Sequence, residues 1–149
     1  MCIRDSTNSV FFENRDRSPT GGGAILAQNS RDLNIYNCSF FENSSFSRGG
    51  AIYTSMDCIS NIGNSVFWGN RKEAIGGAEE INSIENESAS SSITLNNCLI
   101  EEPTCSESHM NAFSCSAVIF ASDPMIDDAF RPTLGSPLIE AGNLSLIHI

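Results

Sequence analysis

Charged residues recur at related places along the chain and are the first candidates for chemistry. Glu13 in "NSVFFENRDR" (8–17) and Glu42 in "NCSFFENSSF" (37–46) hold equivalent places. A pair of carboxylates is what hydrolysis of a glycosidic bond needs. Arg48 and Arg71 each precede a Gly-Gly doublet, and stacked arginines could serve as a proton-abstracting base or clamp a sugar carboxylate. Solvated turn charges explain both pairs more simply, so the sequence assigns no catalytic residue.

Aromatic residues point to binding instead. Phe12, Phe41 and Trp68 each follow a phenylalanine, in "VFF", "SFF" and "VFW". If the first ring of each pair points into a core, strand alternation places the second ring on the outer face. Three stacked outer rings would form a surface for a glycan or for a host or neighbouring cell. The alternative is that a flanking loop covers this aromatic strip.

Cysteines offer a disulfide more readily than a metal site. Cys105 and Cys115 bracket "SESHMNAFS", and in an exported protein a disulfide between them is expected. His109 lies between them, but no C-x-x-C spacing accompanies it, which disfavours zinc. No metal or cofactor is predicted. Cys38 and Cys98 fall at inward strand positions and are expected to be small core residues.

Composition narrows the class of partner. The formal charge is −10 and Lys72 is the only lysine, so no basic patch is available for phosphates or for an anionic membrane. No apolar run reaches the roughly 20 residues that cross a bilayer, so no transmembrane segment is predicted. Short β-branched and aromatic clusters separated by Gly, Asn and Ser indicate an all-β chain.

The two ends of the chain differ from the rest. "MCIRDS" (1–6) and "LSLIHI" (144–149) can be encoded by ATG TGT ATA AGA GAC AG and CTG TCT CTT ATA CAC ATC. These DNA strings are reverse complements of each other and match the adapter of transposase-based sequencing libraries. We therefore expect 1–6 and 144–149 to be translated adapter that takes no part in the fold, and 7–143 to be the native portion.

One motif recurs along the chain with a nearly fixed period. Gly-Gly-Ala begins at Gly22, Gly49 and Gly76, with spacings of 27 and 27 residues. Such a period is typical of a solenoid, and Gly-Gly and Asn-Ser disfavour helices. Three short strands fit one repeat: "AIYT" (51–54), "SNI" (60–62) and "SVFWG" (65–69).

These strands predict an all-β fold, specifically a right-handed parallel β-helix with about 27 residues per coil. We expect three to four coils over 7–102 and a C-terminal β-helix segment over 103–143. A β-sandwich with accidental internal similarity is the alternative.

Equivalent residues of adjacent coils should lie one strand spacing, about 4.8 Å, apart. The expected inward columns are Phe11–Phe40–Phe67–Ile100, Ile35–Ile62–Leu95 and Ile25–Ile52. Asparagine tolerates left-handed turns, and stacked amides can hydrogen-bond between coils. Two such ladders are expected, Asn8–Asn37–Asn64–Asn97 and Asn14–Asn43–Asn70.

One coil breaks the pattern. Glu79 stands where Ile25 and Ile52 stand in the earlier coils. We expect this strand to slip, so that Ile81 enters the core, rather than to bulge.

The unit "F-x-x-N … G-G-A-I" resembles the repeats of chlamydial-type polymorphic outer-membrane proteins and of other bacterial cell-surface β-helix proteins. The tail "SDPMIDDAFRPTLGSPLIEAGN" (122–143) resembles the closing segment of choice-of-anchor Q proteins. It matches at Asp123, Pro124, Gly135, Ser136, Pro137, Ile139, Ala141 and Gly142 and departs at Glu140, where Asp is usual. The resemblance implies a secreted or surface-displayed bacterial protein, associated with the outer membrane, with an anchoring region beyond residue 143.

The resemblance says less about activity, because such families include adhesins, passengers and glycan-active proteins alike. The favoured hypothesis is an adhesin-like or passenger-like stalk without catalysis. The alternative is a polysaccharide lyase or glycoside hydrolase on the same scaffold.

Overall fold

The computed structural model describes residues 3–29, 32–73, 77–105 and 113–139. Over these residues the chain is all-β, without a helix. The first coil contains β1 (Ile3–Thr7), β2 (Val10–Phe12), β3 (Arg15–Asp16) and β4 (Ile25–Gln28). The second contains β5 (Asp32–Tyr36), β6 (Ser39–Phe41), β7 (Ser44–Ser45) and β8 (Ile52–Ser55). Gly76, His109 and the end segment 144–149 lie outside the described residues.

The third coil contains an additional strand, and the remaining coils are shorter. It contains β9 (Ile59–Gly63), β10 (Val66–Trp68), β11 (Arg71–Glu73), β12 (Glu79–Ile81) and β13 (Ile84–Asn86). The fourth contains β14 (Ser92–Asn96) and β15 (Leu99–Ile100), and the chain then adds β16 (Phe113–Ser116) and β17 (Ile119–Phe120). Nothing in the described part of the chain is a helix that could span a membrane.

Strands of successive coils pair side by side in four sheets. Their orders are β1-β5-β9-β14-β16, β17-β15-β10-β6-β2, β12-β11-β7-β3 and β13-β8-β4. All these pairs are parallel except β11 with β12. The architecture is therefore the predicted parallel β-helix. A full coil has four strands rather than three, because the short strand after each phenylalanine pair forms its own sheet.

The phenylalanine column runs through the core as predicted. Ring centroids are 4.5 Å apart between Phe11 and Phe40 and 4.6 Å apart between Phe40 and Phe67, with the rings tilted by only 3° and 4°. Strand register continues the column through Ile100 to Phe120. The second inward column, Ile35–Ile62–Leu95, is also in register and fully buried.

The irregular third coil differs from the prediction. Ile84, not Ile81, pairs with Ile52 and is buried at 2% exposure, whereas Ile81 remains 43% exposed. The chain forms the antiparallel hairpin β11–β12 before it returns to the coil. The expectation that Ile81 enters the core is wrong, because this hairpin takes up the intervening residues on the surface and delays the core strand.

The first strand also differs from the expectation for residues 1–6. Strand β1 starts at Ile3 and pairs along its length with β5. The side-chain amide of Asn34 donates a 3.0 Å hydrogen bond to Asp5 Oδ1. Residues 3–6 therefore form part of the first coil, because their extended backbone completes the open edge of β5.

Candidate functional site

The sheet of β2, β6, β10, β15 and β17, here called the aromatic sheet, carries the residues proposed for binding. Its inner face holds the phenylalanine column, so alternation places Phe12, Phe41 and Trp68 on the outer face. The strand register puts Glu101 next in that outer column, one coil beyond Trp68. The predicted facing of these strands is therefore correct.

The outer rings are not an open strip, because the C-terminal segment 122–139, here called the strap, lies across them. The ring of Phe130 stacks on Phe41 with centroids 5.3 Å apart and meets Phe12 edge-on at 5.2 Å. Phe41 is only 5% exposed as a result, while Phe12 is 44% exposed. Of the two alternatives, the covering segment describes Phe41, whereas Phe12 and Trp68 stay partly accessible.

A second apolar cluster forms under the strap, separate from the central core. Phe41, Val66 and Leu99 are its buried members, and Ile126, Phe130 and Leu138 of the strap pack against them. Between strap and sheet lies a cavity of about 210 Å³. Its floor is a second outward-facing column of the sheet, two residues before the aromatic one along each strand. This column consists of Ser39, Val66, Leu99 and Ile119.

An ion pair between Arg71 and Glu101 lies next to Trp68, at the end of the outer aromatic column. Arg71 donates two hydrogen bonds of 2.7 Å to the carboxylate of Glu101, which also accepts one of 2.8 Å from the backbone N–H of Gly69. Burial alone raises the pKa of Glu101, but the bonds from Arg71 and Gly69 outweigh it and hold the pKa below its ordinary value. This bidentate geometry fixes both side chains.

The structure separates the two arginines that the sequence placed at near-equivalent positions. Arg71 pairs in register with Ser44 rather than with Arg48. Arg48 instead donates a 2.9 Å hydrogen bond to the hydroxyl of Tyr53, lies over that ring at 5.6 Å, and pairs with Glu87. Burial, followed by the hydrogen bond to Glu87, raises the pKa of Tyr53. The two arginines therefore do not form a joint base or clamp.

Glu13 and Glu42 occupy turns rather than a catalytic cleft. Both have left-handed backbones, with φ of 52° and 52°, and both are exposed. Gly69 holds the equivalent turn in the third coil with φ of 70°. The recurrence of these positions follows from a backbone requirement, which glycine satisfies as well as glutamate does.

The asparagines that directly follow these turn residues form a chain of amides, which is buried at Asn43 and Asn70. Asn43 Oδ1 accepts from the backbone N–H and the side-chain amide of Asn14, at 3.0 and 2.9 Å. The amide of Asn43 donates to Asn70 Oδ1 and to the carbonyl of Phe11, both at 2.9 Å. In the ladder at the strand entrance, the amide of Asn64 donates to Asn37 Oδ1 at 3.2 Å. Asn8, Asn37, Asn64 and Asn97 all have positive φ, between 48° and 56°.

The cysteines divide into a bonded pair and buried thiols. Cys105 and Cys115 are joined by a disulfide with Cα atoms 6.3 Å apart. Burial raises the pKa of Cys98 to about 11 and also raises the pKa of Cys38, so both remain protonated packing residues at neutral pH. Within the described ranges, His, Cys, Asp and Glu side chains do not gather in threes as a metal site would need.

Sequence reasoning missed Phe130 and Glu101, which complete the outer face. Glu101 could be found by extending the column of Phe12, Phe41 and Trp68 by one more coil. Phe130 lies in the strap, outside the repeats, so no spacing in the sequence relates it to Phe41.

Comparison with known proteins relates one coil to a repeat family. The family described as Chlamydia polymorphic membrane protein (Chlamydia_PMP) repeat matches residues 37–55. This stretch contains β6, β7 and β8, three of the four strands of the second coil. The searches of curated proteins and of solved structures gave no match. The repeat family is associated with bacterial outer-membrane and surface proteins, and the match suggests a surface-associated bacterial protein.

Proposed function

We propose that this chain is part of a secreted or surface-displayed bacterial β-helix protein and serves, without catalysis, as an adhesin-like or passenger-like stalk. The observation that carries the proposal is the use of the chemically capable side chains as ties between coils. Arg15 and Glu73, which are 58 residues apart, meet at 2.5 Å. Arg71 and Glu101, which are 30 residues apart, form the bidentate pair.

Charged side chains that are held in ion pairs between coils suit a structural stalk better than a catalyst. A general base needs a side chain free to exchange a proton with substrate, whereas Arg71 is held by Glu101 and the amide of Asn43 is held on both sides. Lys72, the only lysine, lies with its Nζ 3.4 Å from Glu80 and 3.8 Å from Glu85. The contacts of Arg15 with Glu73 and of Arg71 with Glu101 join different coils and resist shear between them, which is the mechanical demand on a stalk.

The partner we propose is a glycan or the surface of a host or neighbouring cell. Phe12, at 44% exposure, and the half-buried Trp68 are the outer rings that the strap leaves partly accessible. Aromatic rings of this kind can pack against the apolar face of a sugar. The resemblance of 122–143 to the closing segment of choice-of-anchor proteins fits surface display.

Display and catalysis can be tested separately. An antibody against this chain should label intact cells of the source bacterium, and brief protease treatment of those cells should remove the labelled protein. The purified protein should bind a glycan or cell surface while releasing neither reducing ends nor unsaturated sugars from neutral and acidic polysaccharides. Labelling only after lysis would overturn display, and product release that is lost in Arg71→Ala would favour the lyase or hydrolase.

A further inference from the structure

The cavity beneath the strap has a polar end and an apolar end. Asn64 and Asn97 line it where β10 and β15 begin, and Phe41 with Phe130 lines it where β6 ends. The aliphatic residues Val66, Leu99 and Ile119 lie between these ends. The cavity is therefore amphipathic along the strand direction.

Charge is excluded from this site. The chain has a formal charge of −10, yet all the described residues that line the cavity are uncharged. A charged ligand would lose its hydration here without gaining an opposite charge. The lining therefore selects a neutral molecule.

Volume limits the ligand to about one ring. An engineered apolar cavity of about 150 Å³ lined by Leu, Ile and Phe takes up benzene. The cavity here is about 210 Å³, which leaves room for a ring with a small substituent. The aliphatic floor and the phenyl rings suit an aromatic ring, and the asparagine end suits a hydrogen-bonding substituent.

We propose that the cavity between the strap and the aromatic sheet is a binding site for small neutral aromatic alcohols and phenols. The ring lies over Val66, Leu99 and Ile119, and the hydroxyl reaches the end formed by Asn64 and Asn97. This site is independent of the proposed stalk function, since it requires neither surface display nor a glycan.

The test uses benzyl alcohol as the probe and methyl NMR of the whole chain as the readout. Saturable shifts are expected for the methyl groups of Leu99, Ile119 and Leu138, and none for Ile59, which is 45% exposed on another sheet. Benzoate and benzylamine have the same ring with a charge and should bind roughly tenfold more weakly or worse, because their charge would be buried unpaired.

Two variants fill the cavity from opposite sides. Val66→Phe adds a ring to the floor and Leu138→Trp adds one to the strap, so either should weaken benzyl alcohol binding by roughly tenfold or more. Ile59→Phe adds the same bulk at an exposed position and should leave binding unchanged. The proposal fails if the folded wild type gives no saturable shifts, if the charged analogues bind equally well, or if the filling variants that fold retain full binding.

Discussion

The phenylalanine column gives the most demanding test of the fold. Phe40 is fully buried and has a parallel ring on each side, at 4.5 and 4.6 Å. Truncating a buried phenylalanine to alanine costs about 3–5 kcal/mol, and each aromatic pair adds about 0.5–1.5 kcal/mol beyond burial. With two such pairs we expect Phe40→Ala to lose at least about 4 kcal/mol, a large share of the roughly 5–15 kcal/mol by which typical domains are stable.

Urea unfolding followed by circular dichroism measures this loss of stability. The control is a variant that truncates an exposed phenylalanine. Phe41 is unsuitable, because the strap buries it to 5% exposure. Phe46 is 55% exposed, so Phe46→Ala should change stability by no more than about 0.5 kcal/mol. Phe11→Ala should fall between the two, since Phe11 has one ring neighbour. Equal losses in Phe40→Ala and Phe46→Ala would show that the column does not hold the coils together.

Four further variants test the ladders and the ion pair. Asn43→Ala should cost roughly 1–3 kcal/mol for each buried partner left unpaired, and Asn14→Ala, at the exposed end of the ladder, should cost less; urea unfolding compares them. Ala117 has φ of 51° at the turn position where Asn97 stands one coil earlier, so Ala117→Asn should raise the melting temperature by relieving up to about 1 kcal/mol of strain. The lowered pKa of Glu101 means that its contribution is present at neutral pH and is lost as the pH falls through the lowered pKa. The melting-temperature difference between wild type and Glu101→Gln should therefore shrink in acid, and a difference that grows in acid would contradict the pairing with Arg71.

The coils could be predicted from the sequence because similar residues recur at most equivalent positions of successive coils. The third residue after each turn asparagine, phenylalanine in three coils and Ile100 in the fourth, fills the core, and alternation then fixes the facing of Phe12, Phe41 and Trp68. The same reasoning failed at Ile81, where the chain leaves the period. There β12 pairs antiparallel with β11 instead of continuing the parallel coil. The repeat pattern does not show which of these two pairings forms.

The covering of the aromatic sheet could not be predicted for a different reason. The strap contributes Phe130 and Leu138 through long-range packing, and neither residue shares a spacing with the strands it covers. Alternation shows that a side chain points outward, but outward is not the same as exposed. Phe41 points outward and is nevertheless buried beneath the strap.

The stacking of the coils and the covering of the aromatic sheet therefore depend on different residues of this chain. Four asparagines and Ala117 adopt the same left-handed turn, with φ between 48° and 56°. Glu42 and Gly69 likewise share a second left-handed turn position. Since the backbone condition persists while the residue changes, the repeats record what a coil needs in order to stack. Residues that obey no repeat, such as Phe130 and Leu138, close the cavity over the aromatic sheet, and the search for a specific ligand should begin with them.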